Sequence, residues 1–292
     1  MNILFHLGAH CTDDGLLIRS ILRNRAVLAK EGIIVPGPGR YRELLGDVST
    51  SLRGSPASED TETMLLEAIC DDVSADRIVL SNENFLCRDT KVLGPEKLYP
   101  KALKAAWLAN CFPSHAAEFA LALRNPATFL PDILARVETS DTPRAELLAE
   151  LALHRLSWFD VVERLHEAVP EARILVWCHE DTPFLWSEIQ REVTQHDPFT
   201  RLDGALDMAE RIISAEGMRR LTEFLENRQD LTEARRRAAI GAFLDAHAVD
   251  EKIETEIDLP GWTEDTIAEL TEAYEEDLAL IAHVPGVVLL TP

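Results

Sequence analysis

Cations are scarce in this chain. Of its 292 residues, 29 are Lys or Arg against 51 Asp or Glu, a formal net charge of −22. Such an acidic surface repels nucleic acid and anionic membranes over most of its extent, so neither is expected as a partner. The acidity itself reads as a solvated surface and names no substrate. Long apolar runs are also missing: nothing approaches the roughly 18 residues a bilayer-crossing helix needs. No basic start leads into an apolar segment, and no transmembrane segment or export is expected. The five cysteines, Cys11, Cys70, Cys87, Cys111 and Cys178, are odd in number and form no C-x-x-C pair. That usage fits a reducing cytoplasm better than a disulfide framework. G-x-S-x-G, a complete Walker loop, G-x-G-x-x-G and H-E-x-x-H are all absent. Serine hydrolase, ordinary ATPase, Rossmann dehydrogenase and zincin chemistry therefore lack their usual residues.

What is present is an alternation of short apolar runs with helical patterns. The runs lie at 3–7, 78–80, 119–123, 174–177 and 287–290. Short buried strands separated by amphipathic helices predict an α/β fold of three layers, a mostly parallel sheet with helices on both faces. Leu153, Leu156, Phe159, Val162 and Leu165 recur at three-residue steps, which predicts one long helix over 151–169. Residues 36–42, with two Pro-Gly pairs, and the polar stretch 51–60 read as loops, the second as a mobile insert. Residues 205–283 are acidic and helix-rich, and Thr263 to Asp265 form a helix start after Pro260-Gly261. With no internal repeat and no clear linker, residues 1–292 are expected to form one domain.

The first twenty residues carry the most chemistry. Ile3, Phe5 and Leu7 alternate as a buried strand does, Gly8 breaks the run, and an apolar helical face follows through Leu17, Ile18, Ile21 and Leu22. A loop joining a strand to a helix N-terminus presents free N–H groups and the positive end of a helix dipole, an anion site. Asp13 and Asp14 stand in that loop. They would cap the following helix, or hold a divalent cation that bridges to phosphate.

In its residues this layout resembles the bacterial sulfotransferase-like proteins with a P-loop fold. Their first loop typically reads Gly-Ala-His-Lys-Thr-Gly-Thr-Thr. Here Gly8, Ala9, His10 and Thr12 match, while Cys11, Asp13, Asp14 and Gly15 do not. Further similarity runs through Tyr41-Arg42, SNENF at 81–85, LRNP at 123–126, RILVWCHED at 173–181 and the closing helix and strand, so it spans nearly the whole chain. The resemblance implies binding of 3′-phosphoadenosine 5′-phosphosulfate and transfer of its sulfuryl group to a hydroxyl of a carbohydrate or small-molecule acceptor. It makes Arg124 the strand-end arginine that grips the nucleotide 3′-phosphate. Two departures fall in the donor site: Cys11 stands where the loop lysine would be, and Asp132 where a serine follows the arginine by eight residues. Asp13 and Asp14 add a third, since two unit charges about 5 Å apart at an effective dielectric near 20 repel by roughly 3 kcal/mol.

Glu83 is the leading catalytic candidate, as a strand-end carboxylate that would accept the proton of an attacking hydroxyl. The alternative is a structural acceptor for loop N–H groups. His10 would donate to phosphate or sulfate oxygens, or serve only the loop. Arg124 leaves the end of a buried strand, where open α/β sheets bind ligands, although a salt bridge with one of the many acids competes. His115, Arg40 and Arg42 are further candidates for the cleft, each equally readable as a turn or solvated loop. His6, His10 and Cys11, with Cys178 and His179, lack the closing spacing of a zinc site. Two functions stay open: sulfuryl transfer, and a non-catalytic relative that binds another ligand or a protein.

Overall fold

The computed structural model describes residues 1–70, 75–139, 144–228, 231–253, 257 and 259–292. Its eight strands are β1 (Asn2–His6), β2 (Ile33–Ile34), β3 (Arg77–Ser81), β4 (Leu93–Gly94), β5 (Lys97–Leu98), β6 (Ala116–Leu123), β7 (Arg173–Cys178) and β8 (Val287–Leu290). Six of them form one sheet in the order β2-β3-β1-β6-β7-β8, and every pairing in it is parallel. β4 and β5 make a small antiparallel hairpin.

Helices cover both faces, and the period-two alternation of strand side chains assigns each residue to a layer. Phe5, Leu80, Phe119 and Val176 point to one face. There they pack with Leu45, Leu65, Phe129, Trp158 and Tyr274 from the helices Arg42–Leu52, Glu59–Ile69, Pro126–Val137, Trp158–Ala168 and Glu264–Ile281. Leu4, Val79, Ala122 and Trp177 point to the other face, against Ile18 and Ile21 of helix Leu16–Arg23 and Leu185 and Ile189 of helix Thr182–Thr194. The helix-rich segment divides between these layers. Helix Glu264–Ile281 returns to the first, while Ala209, Leu221, Ile240 and Leu244 build a smaller cluster with Phe184 at its edge.

Three expected boundaries move. The helix expected over 151–169 begins only at Trp158, because the Ser157 hydroxyl caps the Asp160 N–H and the chain before it makes a single 3-10 turn, Leu153–Arg155. The stretch 51–60 is no insert: its first residues finish helix Arg42–Leu52, and Ser58 caps helix Glu59–Ile69. Arg42, read as part of a loop, opens a helix. Thr263 caps its helix as expected, accepting from the Thr266 N–H.

The order of the strands positions the site. From β1 the chain crosses to the β2 and β3 side, and from β6 it crosses to β7 and β8. β1 and β6 are neighbours whose connections run in opposite directions, so a crevice opens above their C-terminal ends. Gly8 to Gly15 leave β1 there, and Arg124 leaves β6 beside them.

Candidate functional site

The loop after β1 turns on two features of Gly8. Its φ is +97°, which side-chain-bearing residues rarely adopt, and a Cβ there would lie 3.2 Å from the Cβ of Glu83. Glycine thus lets the end of β3 approach the loop. Cys11 and Asp14 also take positive φ, 56° and 50°, and Gly15 at 74° leads into helix Leu16–Arg23. The Thr12 hydroxyl donates to the Ala9 carbonyl at 2.6 Å and ties the loop to itself.

Asp13 performs the capping expected of it, accepting from the Leu17 N–H at 2.7 Å. Asp14 does something else. Its carboxylate meets Arg136 at 3.3 Å, and Arg136 also reaches Glu83 at 3.2 Å. Glu83 is therefore an ion-pair partner at the rim of the loop rather than an acceptor for loop amides. Among the described residues no group of three or more His, Cys, Asp or Glu side chains is gathered for a metal ion.

Arg124 lies in the crevice, largely buried. One guanidinium nitrogen donates to the Cys11 carbonyl at 2.5 Å and meets Asp132 at 2.6 Å, and its Nε donates to the Thr128 hydroxyl at 3.2 Å. The Trp158 indole donates to the Arg124 carbonyl at 2.7 Å, and Asp277 accepts from the Trp158 N–H, so the last helix helps to fix the strand end. The salt bridge that competes with ligand binding at Arg124 thus exists, made by Asp132.

His10 is held by Tyr99, which follows the β4–β5 hairpin. The Tyr99 hydroxyl accepts from the His10 N–H at 3.0 Å and lies 2.9 Å from its Nδ1. With Asn84 Oδ1 3.5 Å from Nε2, the tautomer that suits both contacts carries its proton on Nε2 and accepts from the Tyr99 hydroxyl at Nδ1. Burial lowers the affinity of His10 for a second proton, and the nearby Glu83 only partly opposes that. The ring is neutral near pH 7 with its N–H aimed toward the end of β3. Burial pushes the Cys11 thiol up to about 11, so this position brings neither positive nor negative charge.

Arg136 escaped the sequence reading. Thr128, Asp132 and Arg136 recur at four-residue steps on helix Pro126–Val137, and that stripe faces the loop. The same spacing was available in the sequence, counted forward from Arg124. His179 was singled out only for zinc, yet it lies near Arg124 and Asp13; burial, then the charge of Arg124, lowers its pKa to about 4.

Of the other candidates, His115 lies elsewhere, while Arg42 and His6 stand at the C-terminal ends of β3 and β1. His115 precedes β6, at the far end of the strand from Arg124, and stands 3.8 Å from Glu62. At about 3.3 Å per residue along an eight-residue strand, more than 20 Å separates it from the crevice. Arg40 donates to the Ala68 carbonyl, and Arg42 to the Ser81 carbonyl at 3.0 Å. His6 is buried beneath the loop, with Ser81 Oγ 2.9 Å from its Nδ1 and its ring stacked on Trp177.

The loop and two guanidiniums meet above the ends of β1 and β6, where the His10, Leu16 and Leu17 N–H groups are already bonded to Tyr99 and Asp13. Charge also counts against an anion there: Arg124 meets Asp132, and Arg136 meets Asp14 and Glu83. No family model matches the chain, and no curated protein matches it. Among solved structures, a sulfotransferase from Alicyclobacillus acidocaldarius is similar over 86 % of this chain and 98 % of that one, at 14 % identity and a TM-score of 0.41. A likeness that distant assigns this chain no donor and no acceptor.

Proposed function

We propose that the crevice binds 3′-phosphoadenosine 5′-phosphosulfate and that the protein transfers its sulfuryl group to a hydroxyl of a carbohydrate or small metabolite, working as one domain over residues 1–292. The observation that carries the reading is Arg136. Its guanidinium lies between Asp14 and Glu83, beside Cys11. It supplies from a neighbouring helix the positive charge that Cys11 does not. The donor brings an activated sulfur and a stable phosphate leaving group; the chain holds it and moves one proton.

The acids on the arginines do not forbid this. Asp14, Glu83 and Asp132 have side chains 55, 36 and 44 % exposed. Ion pairs that wet contribute only about 0–1 kcal/mol each. Phosphate or sulfate oxygens make charge-assisted bonds of the same kind, so such an anion competes with the two carboxylates for Arg136 and in this reading displaces them. The exchange frees Glu83. Its carboxylate then takes the proton from the acceptor hydroxyl as that oxygen attacks, while Arg124 and the loop amides hold the donor. The His10 Nε2–H offers a neutral donor at the same end of β3.

The test is a transfer assay read by mass spectrometry on candidate hydroxyl acceptors. Glu83→Gln is expected to lower the rate by about 10²- to 10⁴-fold with nucleotide binding intact. Transfer at the native rate would remove Glu83 from the chemistry. The three carboxylates paired with two guanidiniums favour a second reading, a non-catalytic relative whose crevice stays closed on its own charges and which binds another ligand or a protein.

A further inference from the structure

A second cavity, of about 910 Å³, opens beside the end of β3. Asn82 and Asn84, on either side of Glu83 in sequence, line it together with Arg42, Arg88, Lys91, Lys101 and Lys104. Its acids are Glu43, Asp47 and Asp89, so cations prevail inside it while the chain as a whole carries −22. Among the described residues Arg88, Lys91 and Lys101 make no salt bridge. Lys104 lies over the Trp107 ring, 4.8 Å from its centroid. Burial, then the neighbouring charge of Lys101, makes Lys104 a weaker base than usual. The two ammonium groups are close enough for the charge of one to weaken the other's basicity.

The remaining lining fits hydroxyls. Ser49, Thr50, Asn82, Asn84 and Thr90 offer donors and acceptors around a base of Phe85, Leu86 and Leu108. We propose that this cleft is the acceptor site of the proposed transfer reaction and that it selects a hydroxylated anion, a sugar acid or sugar phosphate, over a neutral sugar. The inference rests on the sulfuryl-transfer reading for the word acceptor, but the binding it asserts stands apart from nucleotide. Lys101 and Lys104 hold the anionic group, and Asn82 and Asn84, which flank Glu83 in the chain, bind the ring's hydroxyls.

Calorimetric titration of the full chain with glucuronate, glucose 6-phosphate and glucose tests this without any donor. An anionic sugar is expected to bind at least about tenfold more tightly than glucose, each lysine contributing one charge-assisted contact. The carboxylate and phosphate arms tell which anion is preferred. The double variant Lys101→Gln, Lys104→Gln should lose about tenfold of that affinity, with a melting curve to show that it folds; Lys91→Gln is the fallback if it does not. Equal affinity for the three sugars, no binding by any up to about 10 mM, or no effect of the lysines overturns the inference. Displacement of the sugar by 3′-phosphoadenosine 5′-phosphate would overturn it too, since the cleft would then belong to the donor. Sugar binding without nucleotide binding leaves the cleft standing and removes the donor reading. Nucleotide binding without charge discrimination does the reverse.

Discussion

Asp132 shows how much one residue decides at the crevice. It puts a carboxylate 2.6 Å from Arg124, the strand-end cation proposed to meet the nucleotide phosphate. Asp132→Ser removes that competitor and a source of repulsion of roughly 3 kcal/mol at 5 Å. The expected result is 3′-phosphoadenosine 5′-phosphate bound about 10- to 100-fold more tightly by calorimetry. Unchanged affinity would mean that Arg124 does not meet the ligand. In the sequence the competitor stands out only through its place eight residues after Arg124, and the salt-bridge alternative for Arg124 is visible in the excess of acids. Arg136 was not found, although its spacing from Arg124 is helical. Its role depends on two partners, Asp14 and Glu83, that are 122 and 53 residues away in the chain, and no local pattern encodes such a meeting.

At the scale of elements, the ends of the sheet divide the work. The C-terminal ends of β1, β3 and β6 carry the loop, Glu83 and Arg124, while their N-terminal ends carry a buried ion pair. Arg77, at the start of β3, grips Glu118 of β6 with two bonds of 2.8 and 3.0 Å, spanning β1, and its Nε donates to the Val193 carbonyl at 2.9 Å. Burial pushes the Glu118 carboxyl up, but the bonds from Arg77 and the charge of Arg173 more than reverse that. Arg77→Met leaves Glu118 buried with Arg173 at 3.6 Å and the Gln195 amide at 3.4 Å, so a loss of about 3 kcal/mol is expected in denaturant unfolding. Nucleotide and sugar binding by the folded variant should not change; a loss of binding would contradict the separation of the two ends.

The five sheet runs read from the sequence all became strands, because buried parallel strands need apolar residues on both faces and so announce themselves. β2 has only two residues and left no such mark. The long helix expected from Leu151 was shortened by Ser157, whose hydroxyl offers the backbone a cap in place of another turn. A hydrophobic period does not register such a stop.

For the whole molecule, pH is the accessible probe. His6, His10, His179 and His196 all have lowered proton affinity through burial, His179 to about 4. Below their ordinary value of about 6.5 the unfolded chain takes up protons that the folded chain refuses, so stability falls as pH drops from about 6.5 toward 4. Asp181, Glu188 and Asp277, raised by burial, act in the opposite sense at the acid end. His179→Gln isolates one contribution: its melting temperature should fall less than that of the native chain between pH 7 and 5. Parallel curves would show that His179 titrates normally in the folded protein.

The whole account turns on whether the crevice accepts a nucleotide despite its acids. Calorimetric titration with 3′-phosphoadenosine 5′-phosphate, on the native chain and on Arg136→Gln, tests that most directly. The account predicts binding in the micromolar range, weakened about tenfold or more when Arg136 is lost. No binding up to about 1 mM by a chain that melts cooperatively, or equal binding by the variant, would contradict it.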